Sequence, residues 1–583
     1  MLESQEVSNR FLHDFRKTVG DCVKENHYQL FYNLAHQNGM GIHPESGGPH
    51  SAPVDALSVM AISDFPQGEF WAMSNTHRIT DAARLAVKQS ACVAHTNGKR
   101  FVAAEGPTSI GPQWERPPRE LKSNLDRIFC SGVNRIVWHT FTSSPKEFGL
   151  PGNEYFAGTH LNPNVTWWNQ AGDFISYLNR CSYMLQQGLY VADVLYYYGD
   201  DVPNFVFLRE EFPELNFGYD WDKCSKDVIL NRLTVQEGQI HLPDGMRYRV
   251  LVLPPDRSID LAVLRKLEKL VSEGMTLVGP KPLKATGLTN YPSSDAEVTA
   301  LADRIWGNAD GKSVLENRYG KGRVIWGRNI NEVLAQMQVI PDFSFKGNHP
   351  LTAIDYIHRT TADQEIYFVA NRFSRMEFND FTYRYLTTLP DRYEQTECRF
   401  RVSGMVPEIW DPLTGETEEI VTYREENGQT IIPLHFEPDG SKFIIFRKAA
   451  QPRHITEISK DGQPIFPSFG FETKNFPYLN LKKKDGGTAA EFFVPGDYAF
   501  TWSDGKNSRV KWPASPAEKD LSVDWTLIFD PAWGPAEPIA VKELKSWTTF
   551  DEPGIKYYSG TAKYTKTFQL GKVKKNQRMI LDL

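Results

Sequence analysis

The sequence predicts a multidomain chain of mixed class, α/β over its first part and β over the rest, beginning with the C-terminal half of a (β/α)8 barrel. Three observations carry this. The chain has 583 residues, and a single hydrophobic core stops growing at roughly 250–300. Between residues 41 and 141, short apolar runs ending in polar, Gly or Pro residues alternate with amphipathic stretches, which is the pattern of βαβ units around a parallel sheet. From about residue 350 the helical spacing gives way to short strand-like runs separated by turn residues.

Residues 7–39 read as one or two helices, with Phe11, Phe15, Val19 and Cys22 at helical spacing and Gly39 as the stop. Four strand-like runs follow: Gly41-Ile-His-Pro-Glu, Gly68-Glu-Phe-Trp, Arg100-Phe-Val-Ala-Ala-Glu and Asn134-Arg-Ile-Val-Trp-His-Thr-Phe. Helical stretches from Asp81 to Ser90 and from Pro118 to Ser131 separate the later ones. A barrel needs eight strands. Four strands behind an opening helix therefore read as the second half, over residues 1–184, with the first half expected upstream. An independent four-stranded α/β domain is the alternative.

Residues 185–345 read as a second α/β domain. Tyr190-Val-Ala-Asp-Val-Leu-Tyr-Tyr-Tyr and Tyr248-Arg-Val-Leu-Val-Leu-Pro are buried-strand runs, and an amphipathic helix from Asp260 to Glu273 leads to Met275-Thr-Leu-Val-Gly-Pro. The pattern is flavodoxin-like or amidotransferase-like, but it lacks a Gly-x-Cys-x-Gly nucleophile turn. Residues 346–450 read as a β-sandwich, on Gln364-Glu-Ile-Tyr-Phe-Val-Ala-Asn, Thr430-Ile-Ile-Pro-Leu-His-Phe and similar runs. Residues 451–583 read as a galactose-binding-like jelly roll. Its final run Met579-Ile-Leu-Asp-Leu would leave a strand edge unpaired, so a truncated C-terminus is expected.

A net charge of −7 argues against nucleic acid or an anionic membrane as partner. No run of about 18 apolar residues exists to span a bilayer, and the acidic start lacks the basic and apolar regions of a signal peptide. The six cysteines lack metal or disulfide spacing. Aromatic residues make up 13% of the chain, with 14 Trp. Such rings stack on sugars and also fill large β cores.

Carboxylates at strand ends point to glycoside hydrolysis, which needs two of them across the scissile bond. Glu105 directly follows Phe101-Val-Ala-Ala, and Gly106-Pro107 turns the chain behind it, which makes it the candidate catalytic carboxylate. An apolar setting would make it an acid and a polar one a base. A solvated loop glutamate is the bland alternative. Candidate sugar contacts are His43 and Glu45, beside glycines that allow close approach, with His50 also near. Glu69, before Phe70-Trp71, suits sugar hydroxyls or a hard cation. Trp71, Trp114, His139, Trp167, Trp168 and Glu154 lie near the expected barrel loops, whereas Trp138 reads as core.

At these residues the sequence resembles glycoside hydrolase family 106, the α-L-rhamnosidases. The matching stretches are His43-Pro-Glu-Ser-Gly-Gly-Pro, Asp64-Phe-Pro-Gln-Gly-Glu-Phe-Trp, Ala104-Glu-Gly-Pro-Thr-Ser, Gly132-Val-Asn-Arg-Ile-Val-Trp-His-Thr-Phe and Gln187-Gly-Leu-Tyr-Val-Ala-Asp. The resemblance implies inverting hydrolysis of terminal α-L-rhamnosides assisted by Ca²⁺. It makes Glu105 one catalytic glutamate, puts the other on an earlier strand, and suggests Glu69 for the sugar and the calcium. It also implies a carbohydrate substrate and a periplasmic or extracellular setting. A non-catalytic carbohydrate-binding protein and a β-galactosidase-like hydrolase are the competing readings.

Overall fold

The computed structural model describes residues 4–45, 52–73, 81–109, 116–153, 155–158, 160–206, 215–371, 376–379, 384–388, 392–466, 477–484, 486–514, 519–569, 571 and 581. The chain opens with helix α1 (Gln5–Val23), whose N-cap Ser4 accepts from the Val7 backbone N–H at 3.2 Å. One π-helical stretch, Lys24–Gln29, joins it to α2 (Leu30–Gln37). The Gly41–Glu45 run then departs from the strand expected of it and is irregular. The physical reason is a side chain: the Asp64 carboxylate accepts from Ile42 N–H at 2.7 Å while Asp64 N–H donates to Ile42 O at 3.0 Å. These bonds fold the segment back on the loop before the first strand instead of into a ladder. A short helix α3 (Ala56–Met60), capped by Asp55, fills that loop.

The parallel sheet therefore has three strands where four were expected: β1 (Gln67–Met73), β2 (Ala103–Ser109) and β3 (Arg135–Trp138), in that spatial order. Helices α4 (Asp81–Asn97) and α5 (Pro118–Cys130) make the crossovers. Helix α4 runs past the expected end at Ser90, and its continuation Ala91-Cys92-Val93-Ala94 is fully buried. Parallel strands covered on both faces read as continuous apolar runs. In β2 every residue is buried except Glu105, which is only half-buried.

After α6 (Ala171–Leu185) comes a six-stranded mixed sheet. Its five parallel strands are Val194–Tyr197, Trp221–Cys224, Val250–Val252, Thr276–Val278 and Gly322–Ile325, with Glu316–Tyr319 antiparallel at the edge. Numbered along the chain, the parallel strands run 2-1-3-4-5 in space, the order of doubly wound flavodoxin-like sheets. The helix Leu261–Glu273 packs here, N-capped by Asp260, which accepts from Ala262 and Val263. The run from Tyr190 to Tyr198 is not one strand. Leu189–Tyr190 pairs instead with Ile354–Thr360 of an antiparallel sheet, and only Val194–Tyr197 joins the parallel one. Asp193 at the break is held by Arg249 at 3.1 Å and Arg401 at 3.0 Å.

Two antiparallel sheets follow, of four and six strands. They share a core that includes Phe343, Tyr367, Phe400, Tyr423, Phe436 and Phe446. Strands Ile455–Lys460, Gln463–Phe466, Gly496–Trp502 and Asn507–Trp512 form a further sheet. The chain divides into two compact units, one of residues 1–161 and 171–513, the other of 162–170 and 514–583. The second unit has a three-stranded sheet and a core built on Trp525, Leu527, Phe529 and Tyr558. Of the run Tyr557 to Phe568, only Lys563–Thr565 is strand. Among the described residues no helix is long and apolar enough to cross a membrane, and all six cysteines are free.

Candidate active site

Glu69 of β1 and Glu105 of β2 occupy paired register positions on neighbouring parallel strands. Their backbones are therefore about 4.8 Å apart and their side chains project to the same side of the sheet. The two differ in setting. Glu69 is buried and accepts a hydrogen bond from the Trp71 indole, two residues along the same strand. Glu105 keeps 28% of its side-chain surface. Burial pushes its carboxyl above the ordinary value of 4.5; His139 opposes that rise and the Glu69 charge adds to it.

The residue after Glu105 has to be glycine. Gly106 has φ +154°, and a Cβ there would lie 2.5 Å from Cε1 of the buried Phe70 ring. Removing the side chain lets β1 and β2 approach closely as their register shifts beyond Glu69.

His139 follows β3, with Nδ1 3.9 Å from Glu105 Oε1 and 3.1 Å from Thr108 Oγ1. The Tyr155 ring stands edge-on to the imidazole at 5.6 Å and meets Phe156 at 4.6 Å. Both rings are exposed, Phe156 at 70%. A half-exposed carboxyl, a histidine and two open aromatic faces make a surface able to give or take a proton beside a stacked ring.

Of the residues expected to form the site, the structure brings Glu69, Trp71, Glu105 and His139 together. It links His43 to β1 through Nδ1 and Gln67 Oε1 at 3.0 Å. Glu45 follows His43, half-buried. Trp114, Glu154 and His50 lie outside the described residues. Trp138 is half-buried, with its ring edge-on to Phe174 at 6.3 Å. Trp167 and Trp168, expected at the barrel loops, belong instead to the second unit. There their segment is held by Thr166 to Ser559 at 2.9 Å and Gln170 to Thr561 at 3.2 Å. Thr108, Tyr155 and Phe156 were missed. Thr108 stands in the same Glu-Gly-Pro-Thr string as Glu105, and the aromatic pair adjoins Glu154, so proximity in sequence was the available signal.

The family model described as alpha-L-rhamnosidase, glycoside hydrolase family 106, matches residues 1–425. The chain belongs to this family. A rhamnosidase structure from Novosphingobium sp. PP1Y is similar over 97% of this family 106 chain and 47% of its own, with TM-score 0.73 and 28% identity. A protein of Formosa agariphila named putative beta-glucuronidase is 34% identical over 453 residues, covering 78% of this chain and 35% of its own length. The family 106 chain thus spans about half the solved rhamnosidase and a third of the Formosa protein.

Calcium needs six to eight oxygen ligands. Among the described residues, no group of three or more His, Cys, Asp or Glu is placed to hold a metal. Glu69 and Glu105 alone fall short of such a cage.

Proposed function

We propose that this family 106 chain contributes the general acid of a glycosidase that hydrolyses terminal α-L-rhamnosides by inversion, and that Glu105 is that acid. One observation carries the reading. Glu105 is the single half-exposed residue in an otherwise buried strand, and burial together with Glu69 favours its protonated form. In the reaction the Glu105 O–H protonates the glycosidic oxygen as the C1–O bond breaks. A water, losing its proton to a second carboxylate, attacks C1 from the opposite face. An inverting site needs its carboxyls ~6.5–9.5 Å apart with a water between them, whereas Glu69 leaves the neighbouring strand at the same level and on the same side as Glu105. Glu69 is therefore assigned to charge tuning and sugar contact, and the base to an element other than β1, β2 and β3. His139 and Thr108 position the acid, and Tyr155 and Phe156 offer a face for the sugar.

The test uses the longest natural protein that carries this chain, assayed on 4-nitrophenyl α-L-rhamnoside with and without EDTA. The 4-nitrophenyl β-glucuronide serves as a comparison, because a relative carries the name beta-glucuronidase. Glu105→Gln should lower turnover by about 10²-fold or more, and NMR should show the first-formed sugar with inverted anomeric configuration. Unchanged turnover in Glu105→Gln would remove it from the chemistry. A retained configuration would replace the inverting reading with a double displacement.

A further inference from the structure

At the N-terminal end of β2, away from the residues that follow Glu105, a cavity of about 400 Å³ opens. Loops at this end of parallel α/β strands usually serve stability rather than chemistry. Its wall is formed by the last turns of α4 with the Gly98–Arg100 loop, by residues 186–190, by residues 244 and 246, and by Arg359.

Arg359 is the unusual member. It is 5% exposed, yet among the described residues no carboxylate lies within ion-pair distance of it. Its Nε donates to Gln187 O at 2.6 Å and Nη2 to Gly188 O at 2.7 Å. Among the described residues Nη1 has no hydrogen-bond partner. Burial pulls its guanidinium down to about 10, with only the Tyr190 phenol acting the other way. Buried charges are otherwise paired, because removing one from water without a counter-charge is costly. Two more cations border the cavity, Arg100, which is exposed, and Lys99, whose Nζ donates to Ser63 O. The acid on the wall, Asp244, is already engaged by Arg232.

His95 lines the same cavity and is 5% exposed. Its Nδ1 lies 3.0 Å from Asp222 Oδ1, which assigns the ring proton to Nδ1 and leaves Nε2 as an acceptor. That buried Nε2 has no hydrogen-bond partner. That nitrogen is turned toward Gly132, outside the cavity lining, so what the cavity offers is positive charge without a counter-charge.

We propose that this cavity binds a small oxyanion, its oxygens held by Arg359 with Arg100 at the mouth. Hydrogen phosphate and the carboxylate of a uronic acid share this chemistry. The choice does not depend on the rhamnosidase reading.

Titration calorimetry of the chain with inorganic phosphate and, separately, with D-glucuronate tests it, at fixed ionic strength against sodium chloride. Saturable binding is expected, weakened about tenfold or more in Arg359→Gln through loss of a charge-assisted bond. Arg100→Gln, an exposed substitution that leaves the core untouched, should weaken it roughly threefold. Saturation by phosphate alone assigns a free oxyanion; saturation by glucuronate assigns a sugar-borne carboxylate. If Arg359→Gln does not fold, Arg100→Gln decides. Failure of both probes to saturate, or affinity unchanged in the folded variants, overturns the proposal.

Discussion

Replacing His358 should remove a pH-dependent part of the fold's stability. His358 lies on the strand Ile354–Thr360, 4% exposed, with its ring stacked on its cross-strand partner Tyr367 at 3.8 Å. Nδ1 is 3.0 Å from Asp342 and Nε2 is 2.9 Å from Glu365. Both ring nitrogens face carboxylate oxygens, which only accept, so both must carry protons. Burial by itself would lower the imidazole pKa. Asp342 and then Glu365 overcome it and raise it to about 9. For a cation whose folded pKa is raised, the stability is fully present below the unfolded value near 6.5 and lost as pH climbs through 9. At about 1.4 kcal/mol per tenfold change, the contribution is on the order of 3 kcal/mol. Denaturant unfolding of wild type and His358→Gln between about pH 6 and pH 10 reads it. The stability gap between the two proteins should shrink by that amount across the range. A gap that stays constant with pH would show that His358 is neutral in the fold, and the reasoning fails.

Four further outcomes follow from the candidate site and its support. In the active protein, activity that requires the Glu105 proton should fall as pH rises through a value above 4.5. Glu69→Gln removes the charge that helps raise that value, so this limb of the kcat/KM profile should move to lower pH. Gly106→Ala forces a methyl into the Phe70 ring and should cost about 1–3 kcal/mol in thermal unfolding. Leu125→Ala empties a fully buried position in α5 and should cost about 2–5 kcal/mol by the same measurement.

The α/β character of the first half and the β character of the second were legible because both arise from local spacing. Helix α5 and the helix Leu261–Glu273 declare themselves by amphipathic period, and the strand Gln364–Asn371 by its apolar run. What could not be read was decided at long range. Gly41–Glu45 has strand composition, but Asp64, 22 residues later, takes its Ile42 N–H. The Tyr190–Tyr198 run looks uniform, yet it divides between two sheets around Asp193, whose partners Arg249 and Arg401 are far off in sequence. Trp167 and Trp168 follow the parallel sheet in sequence, but their segment bonds to residues 559 and 561. No local pattern announces such pairings.

The candidate site was legible for a different reason. In a parallel strand covered on both faces, an ionisable residue is expensive unless water or a partner reaches it. Glu105 lies behind four residues with no polar side chain, so its position already posed the question of what keeps it there. The register answers for its neighbour as well: Glu69 is pinned by the Trp71 indole and stays buried, while Glu105 meets solvent and His139. Two carboxylates on adjacent strands at the same level cannot both ionise cheaply. Desolvation and the neighbouring Glu69 charge both push the Glu105 carboxyl upward, against the pull of His139. If Glu105 is the acid, as proposed, Glu69 on the paired strand position is left to tune its charge, and the base of an inverting pair comes from another element.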